Sequence, residues 1–472
     1  MTPSRLPSRA RLWLPLAGLL AASGCRAAPA EIDPAHVTGQ EAVADPTSPG
    51  EAPARGVPAS LGRLAFVNGG DVWVKDIPDG QSRRLTQDGR NDTPRWSPSG
   101  EWLAFRKGAA ADELWLVRRS GADARRAGTL SPGAAPALAW SPVADRLACV
   151  TTDGVLVIEP GGAPQALVSP AGGDVLGLAW SPNGEQLAYV QERITRPAAG
   201  VRGGEPPERY AALWLIAAGG GEATELLNAG QPATHGFMLA GWSPGGTHVL
   251  SWTVPMFSGS LLADGVPLLA VPAAGGEVVE LTAQMLAHTD FLSWSPDGQQ
   301  LAFVEGAGRA TWEDKAIAIA TLGDAGTPRR ELRTDGTIDL FPTWSPDGRW
   351  LAVSSGPAAP GAAGEGPAAE ALQQRRIRLV QPQGQDQLQL TDMAGARDER
   401  PDWSADGSTI LFVRLQDERA QLWLTDAGGS NQRAVGEELT PNPAAAGAYG
   451  YVRWALTYDW WKGPADHPGH TG

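Results

Sequence analysis

Cysteine is nearly missing from these 472 residues: Cys25 and Cys149 are the only two. So few, so placed, exclude a disulfide framework as the basis of the fold. Histidine is scarce as well, with six copies and no His-x-x-x-His or other tight ligand spacing, so no ready-made metal motif stands out. Positive charge is in deficit. Lys and Arg number 38 against 52 Asp and Glu, a formal charge of −14, and loss of the first 24 residues, with three arginines and no acid, would deepen it. Such a charge opposes contact with phosphate backbones, so no nucleic-acid partner is expected. Long hydrophobic runs are absent too. The N-terminal run from Leu12 to Ala22 is shorter than the roughly 20 residues a membrane-spanning helix needs.

What the chain has in excess is tryptophan, 19 copies against 5 Tyr and 8 Phe; most fall in repeat positions, seven of them just ahead of the same serine and turn. Trp96-Ser97-Pro98, Trp140-Ser141-Pro142, Trp180-Ser181-Pro182, Trp242-Ser243-Pro244, Trp294-Ser295-Pro296, Trp344-Ser345-Pro346 and Trp403-Ser404-Ala405 each precede a turn and a short apolar strand. Self-similarity at a period of roughly 40 to 60 residues marks a repeat architecture. In the fifth copy Phe291 to Trp294 reads as a first strand, Ser295-Pro296-Asp297-Gly298 as a tight turn, Leu301 to Val304 as a second strand and Ala316 to Ile319 as a third. Glu280-Leu281-Thr282 shows how a unit ends with its fourth. Four antiparallel strands per unit, repeated, describe an all-β propeller.

The ends bear on the blade count. Arg63 to Phe66, Val72 to Val74 and Arg84 to Thr86 supply second, third and fourth strands with no first strand ahead of them. Tyr451-Val452-Arg453-Trp454 resembles a first strand with nothing to follow. Joined, they make one further blade and remove an exposed sheet edge. Eight blades are predicted, closed by N- and C-terminal strands in one blade, with seven as the alternative if Trp454 packs outside the ring. Tyr458-Asp459-Trp460-Trp461 reads as packing against that closing blade or as a docking element.

The Trp-Ser-Pro-Asp-Gly turn followed by Leu-Ala-Phe resembles the WD40-like propeller repeat of the TolB family, also found in dipeptidyl peptidase IV-like enzymes. The resemblance covers roughly residues 60 to 460 and implies the propeller fold. TolB itself has fewer repeats and a different N-terminal domain. The resemblance implies uses ranging from protein-binding platform to peptidase lid to lyase.

Arg5, Arg9 and Arg11 precede the apolar run, which ends in Ala22-Ser23-Gly24-Cys25. A basic start, a short apolar stretch and small residues describe an export signal over residues 1–24. The last four residues resemble a bacterial lipobox, which would make Cys25 a lipidated first residue; Ala22 departs from the usual Leu. Ordinary cleavage with Cys25 a bystander is the other reading. Residues 25–58, rich in Ala, Pro, Glu and Gly, read as a disordered tether, residues 59–461 as the propeller, and 462–472 as a polar tail. Arg26 lacks the Asp associated with inner-membrane retention, so an outer-membrane anchor facing the periplasm is expected in a two-membrane cell. Otherwise the outer face of the cytoplasmic membrane is expected.

Residues just before the inner strands would surround one mouth of the channel: Asp92, Asp174, His235, His288, Asp290, Asp339, Asp398 and Glu399. Insertions at 191–212, 253–267 and 354–375 fall on the same face, and variable loops on a rigid scaffold are where binding sites concentrate. The stretch Gly356 to Ala369 is nearly all Gly, Ala, Pro and Glu, which predicts disorder. A ring of acids would favour a cation or a basic peptide, although each acid could instead cap a turn. Gly241-Trp242-Ser243-Pro244-Gly245 matches Gly-x-Ser-x-Gly, yet Pro244 has no N–H for an oxyanion hole, so a nucleophile elbow is rejected.

The expectation is therefore a lipid-anchored cell-envelope propeller, monomeric and without cofactor or metal. Its insertion-bearing face would bind an envelope protein, a peptide or a glycan, and no catalytic residue is assigned. The competing reading is a metal-dependent polysaccharide lyase or hydrolase using His and Asp at the mouth. It draws on a further resemblance, to oligogalacturonate lyases, whose propeller histidines hold a divalent metal.

Overall fold

The computed structural model describes residues 60–463, apart from 109–111, 135–136, 170–171, 196–207, 231–232, 234, 256–263, 323–328, 362–365, 385–386 and 443–447. The expected signal, Cys25 and the tether lie outside the described residues, as do His467 and His470 of the tail. Eight four-stranded antiparallel sheets form the blades. Blades 1 to 7 take strands β4–β7, β8–β11, β12–β15, β16–β19, β20–β23, β24–β27 and β28–β31 in chain order. The inner strands are β4 (Asn91–Trp96), β8 (Leu138–Trp140), β12 (Asp174–Trp180), β16 (His235–Trp242), β20 (Leu292–Trp294), β24 (Thr337–Trp344) and β28 (Ala396–Trp403). Blade 8 joins the chain ends, with β32 (Tyr458–Trp461) inside β1 (Arg63–Asn68), β2 (Asp71–Asp76) and β3 (Arg83–Arg84).

Closure by both chain ends is as predicted, but the closing strand is Tyr458–Trp461 and not Tyr451–Trp454. Register explains the choice. Leu64 pairs with Trp460 as Leu103 pairs with Trp96 and Leu187 with Trp180, so Trp460 takes the place of a repeat tryptophan. Trp454 is fully buried and begins a single 3-10 turn, Trp454–Leu456.

Local chemistry makes each repeat turn. Ser345 Oγ donates to Asp347 at 2.6 Å and accepts the Trp350 backbone N–H at 3.0 Å. Ser404 does the same with Asp406 (2.7 Å) and the Thr409 N–H (3.0 Å). Gly348 and Gly407 both sit at φ 70, a left-handed conformation that a Cβ disfavours. Ser243 is one more such turn serine, accepting the His248 N–H at 3.0 Å between two strands, which fits the rejection of a nucleophile elbow.

The tryptophans bind blade to blade. The indoles of Trp140, Trp180, Trp242 and Trp403 donate to the carbonyls of Arg95, Ala139, Ala179 and Thr343 in the preceding blade, at 3.0–3.1 Å. Each carbonyl belongs to the residue before the preceding repeat tryptophan, so the bond propagates with the repeat. Apolar second and third strands fill the space between sheets: Leu301, Phe303 and Ile317 of blade 5 pack in one cluster with Phe341, Trp344 and Val353 of blade 6.

The expected disorder over Gly356–Ala369 is corrected in part. β25 (Leu351–Pro357) takes in the first two of these residues, and Gly366–Gln373 forms helix α1, with Ala368 and Ala371 buried. Pro367 suits a first helical turn, where no N–H is needed, and the Ala-Ala-Glu-Ala-Leu run that follows has high helix propensity.

Candidate functional site

The predicted mouth residues do not form a ring of free acids. Asp398 and Glu399 are fully buried in β28. Asp398 takes two bonds from Arg414, Nε to Oδ1 at 2.7 Å and Nη2 to Oδ2 at 2.8 Å. Glu399 Oε1 accepts from Arg397 Nε at 2.8 Å and also from Arg375. Burial pushes the Glu399 pKa up, but the guanidinium groups of Arg397 and Arg375 outweigh it and hold the carboxyl below its ordinary value. Neither acid stands free in solvent as expected: a carboxylate taken from water persists only when paired, Asp398 with Arg414 and Glu399 with Arg375 and Arg397.

The others are dispersed. Asp92 is half-buried beside Arg106 (3.4 Å) and accepts the Thr93 hydroxyl at 2.9 Å. Burial raises its pKa against the pull of Arg106. Asp174 is exposed at the start of β12, across from Glu192. Asp339 is buried across the ladder from Ser355, and its pKa is raised by burial against Ser355 and Arg378. His235 lies edge-on to Phe237, with ring centroids 5.3 Å apart, and burial lowers its pKa.

His288 and Asp290 are brought together, though not around an empty space. His288 caps the 3-10 turn Thr289–Phe291 and Asp290 lies within it. Tyr451 stacks on the His288 ring at 3.5 Å, nearly parallel at 6°, and donates its hydroxyl to Asp290 Oδ1 at 2.9 Å. Burial raises the Asp290 pKa to about 6 and lowers that of His288 to about 3, Arg453 adding to the latter. Among the described residues no three of His, Cys, Asp and Glu come together so as to hold a metal ion. The two histidines of the competing reading each rest against an aromatic neighbour.

Sequence reasoning missed the arginines and the bulges that place them. In β4, β24 and β28 the ladder slips two residues before the tryptophan, and Thr93, Phe341 and Arg400 take φ of 52, 53 and 50. These are left-handed values for residues with a Cβ, one of them β-branched, and such strain gathers at functional sites. The signal was present: each precedes a proline that stands two residues before the repeat tryptophan, in Thr93-Pro94-Arg95-Trp96, Phe341-Pro342-Thr343-Trp344 and Arg400-Pro401-Asp402-Trp403. Arg400 lies 4.6 Å over the Tyr458 ring. Burial disfavours its charge, yet Tyr458, Asp290 and Asp402 together raise its pKa.

The insertions differ in build. β13 and β14 (Gln186–Thr195 and Glu208–Ala217) pair along their whole length, from Gln186 and Ala217 to Thr195 and Glu208. On the same side of blade 6 a polar cleft of about 430 Å³ is bordered by Gln374, Arg376, Arg378 and Gln389. No described helix is long and apolar enough to cross a membrane.

No family model matches the chain. An uncharacterized protein of Agrobacterium fabrum is 30% identical over 142 residues, 26% of this chain and 47% of that protein, so the chain spans about half the length of that relative. Similar solved structures include a putative TolB from Agrobacterium tumefaciens (15% identity, TM-score 0.35, covering 82% of this chain and 93% of that one). TolB from Acinetobacter baumannii is another (11%, TM-score 0.36, 81% and 66%). An oligogalacturonate lyase in complex with manganese is a third (13%, TM-score 0.43, 75% and 82%).

Proposed function

We propose that this eight-bladed propeller is a non-catalytic binding module of the cell envelope, exported and lipid-anchored through Cys25. Its insertion-bearing face would take an envelope protein, a peptide or a glycan. The observation that carries the reading is the β13–β14 ladder, ten residues in each strand where the corresponding strands of blade 2 have five. At about 3.3 Å per residue the surplus lifts a hydrogen-bonded arm roughly 15 Å above its blade. Such an arm keeps its side chains in fixed positions. Arg193 sits 5.7 Å over the Tyr210 ring, and the Tyr210 hydroxyl meets Glu225.

Against the enzyme reading stand the His288 ring, stacked on Tyr451, and the carboxylates of Asp398 and Glu399, each closed by arginine. A general base or a metal ligand needs a reachable lone pair.

The test replaces residues 193–210 by an Asn-Gly turn between Glu192 and Ala211, which face each other in the ladder. The mature chain should retain one stoichiometric partner from envelope extracts, and the trimmed chain should lose it at an unchanged melting temperature. Equal retention by both chains would refute the reading. Mass spectrometry of the mature N-terminus should find a diacylglyceryl-modified Cys25; an unmodified residue there would remove the anchor.

A further inference from the structure

Within the connection from β31 (Arg433–Glu438) to β32, residues 449–455 make contacts to four blades. The Tyr449 carbonyl accepts the Thr311 N–H at 2.9 Å and the Thr311 hydroxyl at 3.0 Å. The Gly450 carbonyl takes one bond from Arg375 (3.1 Å) and one from Arg397 (2.8 Å). Tyr451 fills an aromatic slot formed by His288, by Phe291 (5.4 Å, edge-on) and by Phe341 (6.2 Å), with its hydroxyl on Asp290. Three residues on, the fully buried Trp454 gives its indole N–H to Glu399 Oε2 at 3.0 Å. Arg95 then holds the Ala455 carbonyl at 2.7 Å. These partners come from blades 1, 5, 6 and 7.

A connection that merely spans a gap does not need this. It needs no fully buried glutamate balanced by two arginines so that one oxygen stays free for an indole. Nor does it need a carboxylate placed to read a phenol. Two aromatic anchors, one half-buried and one fully buried, with carbonyls held on either side of the pair, is how interfaces concentrate their binding energy. Asp290 supplies a second sign: its Oδ2 is buried and has no hydrogen-bond partner among the described residues, so an acceptor stands ready in the slot.

We propose that the channel mouth is a recognition site for peptide segments carrying a Tyr-x-x-Trp pair, and that residues 449–457 occupy it as an internal stand-in. The inference deepens the binding reading and rests on it in taking this face as the one that meets partners. A partner's segment must present the same two donors, a phenol to Asp290 and an indole to Glu399, and displace the tethered copy. The tether gives that copy an effective concentration on the order of millimolar, so the intact protein masks its own site. Gly450 is the point of weakness. At φ +76 an added Cβ would lie 2.5 Å from Thr311 Oγ1 and 3.0 Å from the Trp312 ring.

The experiment uses a fluorescein-labelled peptide of residues 448–457 and the mature full-length chain as wild type, Gly450→Ala and Tyr451→Ala, read by anisotropy. Both variants should bind the peptide at least tenfold more tightly than wild type does. A peptide with its Tyr451 and Trp454 equivalents both replaced by alanine should not bind. If Gly450→Ala loses the native melting transition, Tyr451→Ala carries the test, since Tyr451 is only half-buried. Equal affinity for wild type and variant, or undiminished binding of the alanine peptide, overturns the proposal. Peptide binding without a partner lost on hairpin trimming would sink the earlier reading alone. A lost partner without peptide binding would sink this one alone.

Discussion

Asp398 and Arg414 face each other across β28 and β29 (Thr409–Gln416), joined by two parallel hydrogen bonds at 2.7 and 2.8 Å with neither side chain reachable by solvent. The guanidinium is also 4.5 Å over the Trp423 ring. Removing one partner leaves the other's charge buried and alone, a loss of about 3–5 kcal/mol, whereas replacing both by apolar residues of similar volume is far milder. Asp398→Ala should therefore lower the denaturation midpoint sharply, and Asp398→Leu combined with Arg414→Met should restore most of it. A double variant as weak as the single would show that the pair is not the cause.

The repeat tryptophans divide into two energetic groups. Trp242 gives its indole N–H to the Ala179 carbonyl, whereas the Trp344 indole N–H has no acceptor among the described residues. There the Ser293 hydroxyl, in the preceding blade, instead accepts the Trp344 backbone N–H at 3.1 Å. Trp242→Phe strands a buried carbonyl; Trp344→Phe removes a donor that was already unmet. The first should cost about 1–3 kcal/mol more than the second, measured as a difference in chemical denaturation. Equal costs would mean that the indoles act through packing alone.

The fold could be read from the chain because the Trp-Ser-Pro turn is local: the residues that close it, such as Ser345, Asp347 and Gly348, lie within a few positions of one another. The closing strand could not. Tyr451–Trp454 and Tyr458–Trp461 both end in tryptophan and neither runs on into a Ser-Pro turn, since their second strand comes from the other end of the chain. The mouth was half legible. Asp398 and Glu399 were expected just ahead of an inner strand and lie within it, in β28, and their partners Arg414 and Arg375, 16 and 24 residues away, meet them only in the folded blade. Composition also misled at residues 366–373, where Ala and Leu outweigh Gly and Pro once Pro367 is confined to the first turn.

Acid titration should separate the two residues that grip Tyr451. The Asp290 pKa is raised to about 6 from 3.8, so the folded state holds that proton more tightly. Its contribution is whole below about pH 4 and is lost as pH rises through 6. The His288 pKa is lowered to about 3 from 6.5, so its contribution is whole above 6.5 and is lost as pH falls towards 3. Melting midpoints should show Asp290→Asn gaining on wild type as pH rises through that window. His288→Phe, which keeps the aromatic stack, should gain as pH falls. Parallel profiles for the two variants would contradict the opposed signs.

The ring should fail if β32 is withheld. A chain ending at Thr457 keeps the segment across the mouth but loses Tyr458 and Trp460, both buried, at about 3–5 kcal/mol for each aromatic. It also loses the Trp460 bond to the Leu61 carbonyl (2.8 Å), the Trp461 bond to the Pro98 carbonyl (2.9 Å) and the Asp459 contact to the Trp96 N–H (2.7 Å). That sum approaches the whole stability of an ordinary domain, about 5–15 kcal/mol, and it uncovers β1 as an unpaired edge open to other chains. Gel filtration should show assemblies larger than the full-length chain forms, and a synthetic peptide of residues 458–463 added in excess should return the full-length elution by strand addition. If the shortened chain elutes as the full-length chain does, with its melting temperature unchanged, blade 8 is not what fastens the circle, and the load falls on the contacts of Trp454 and Tyr451 inside the mouth.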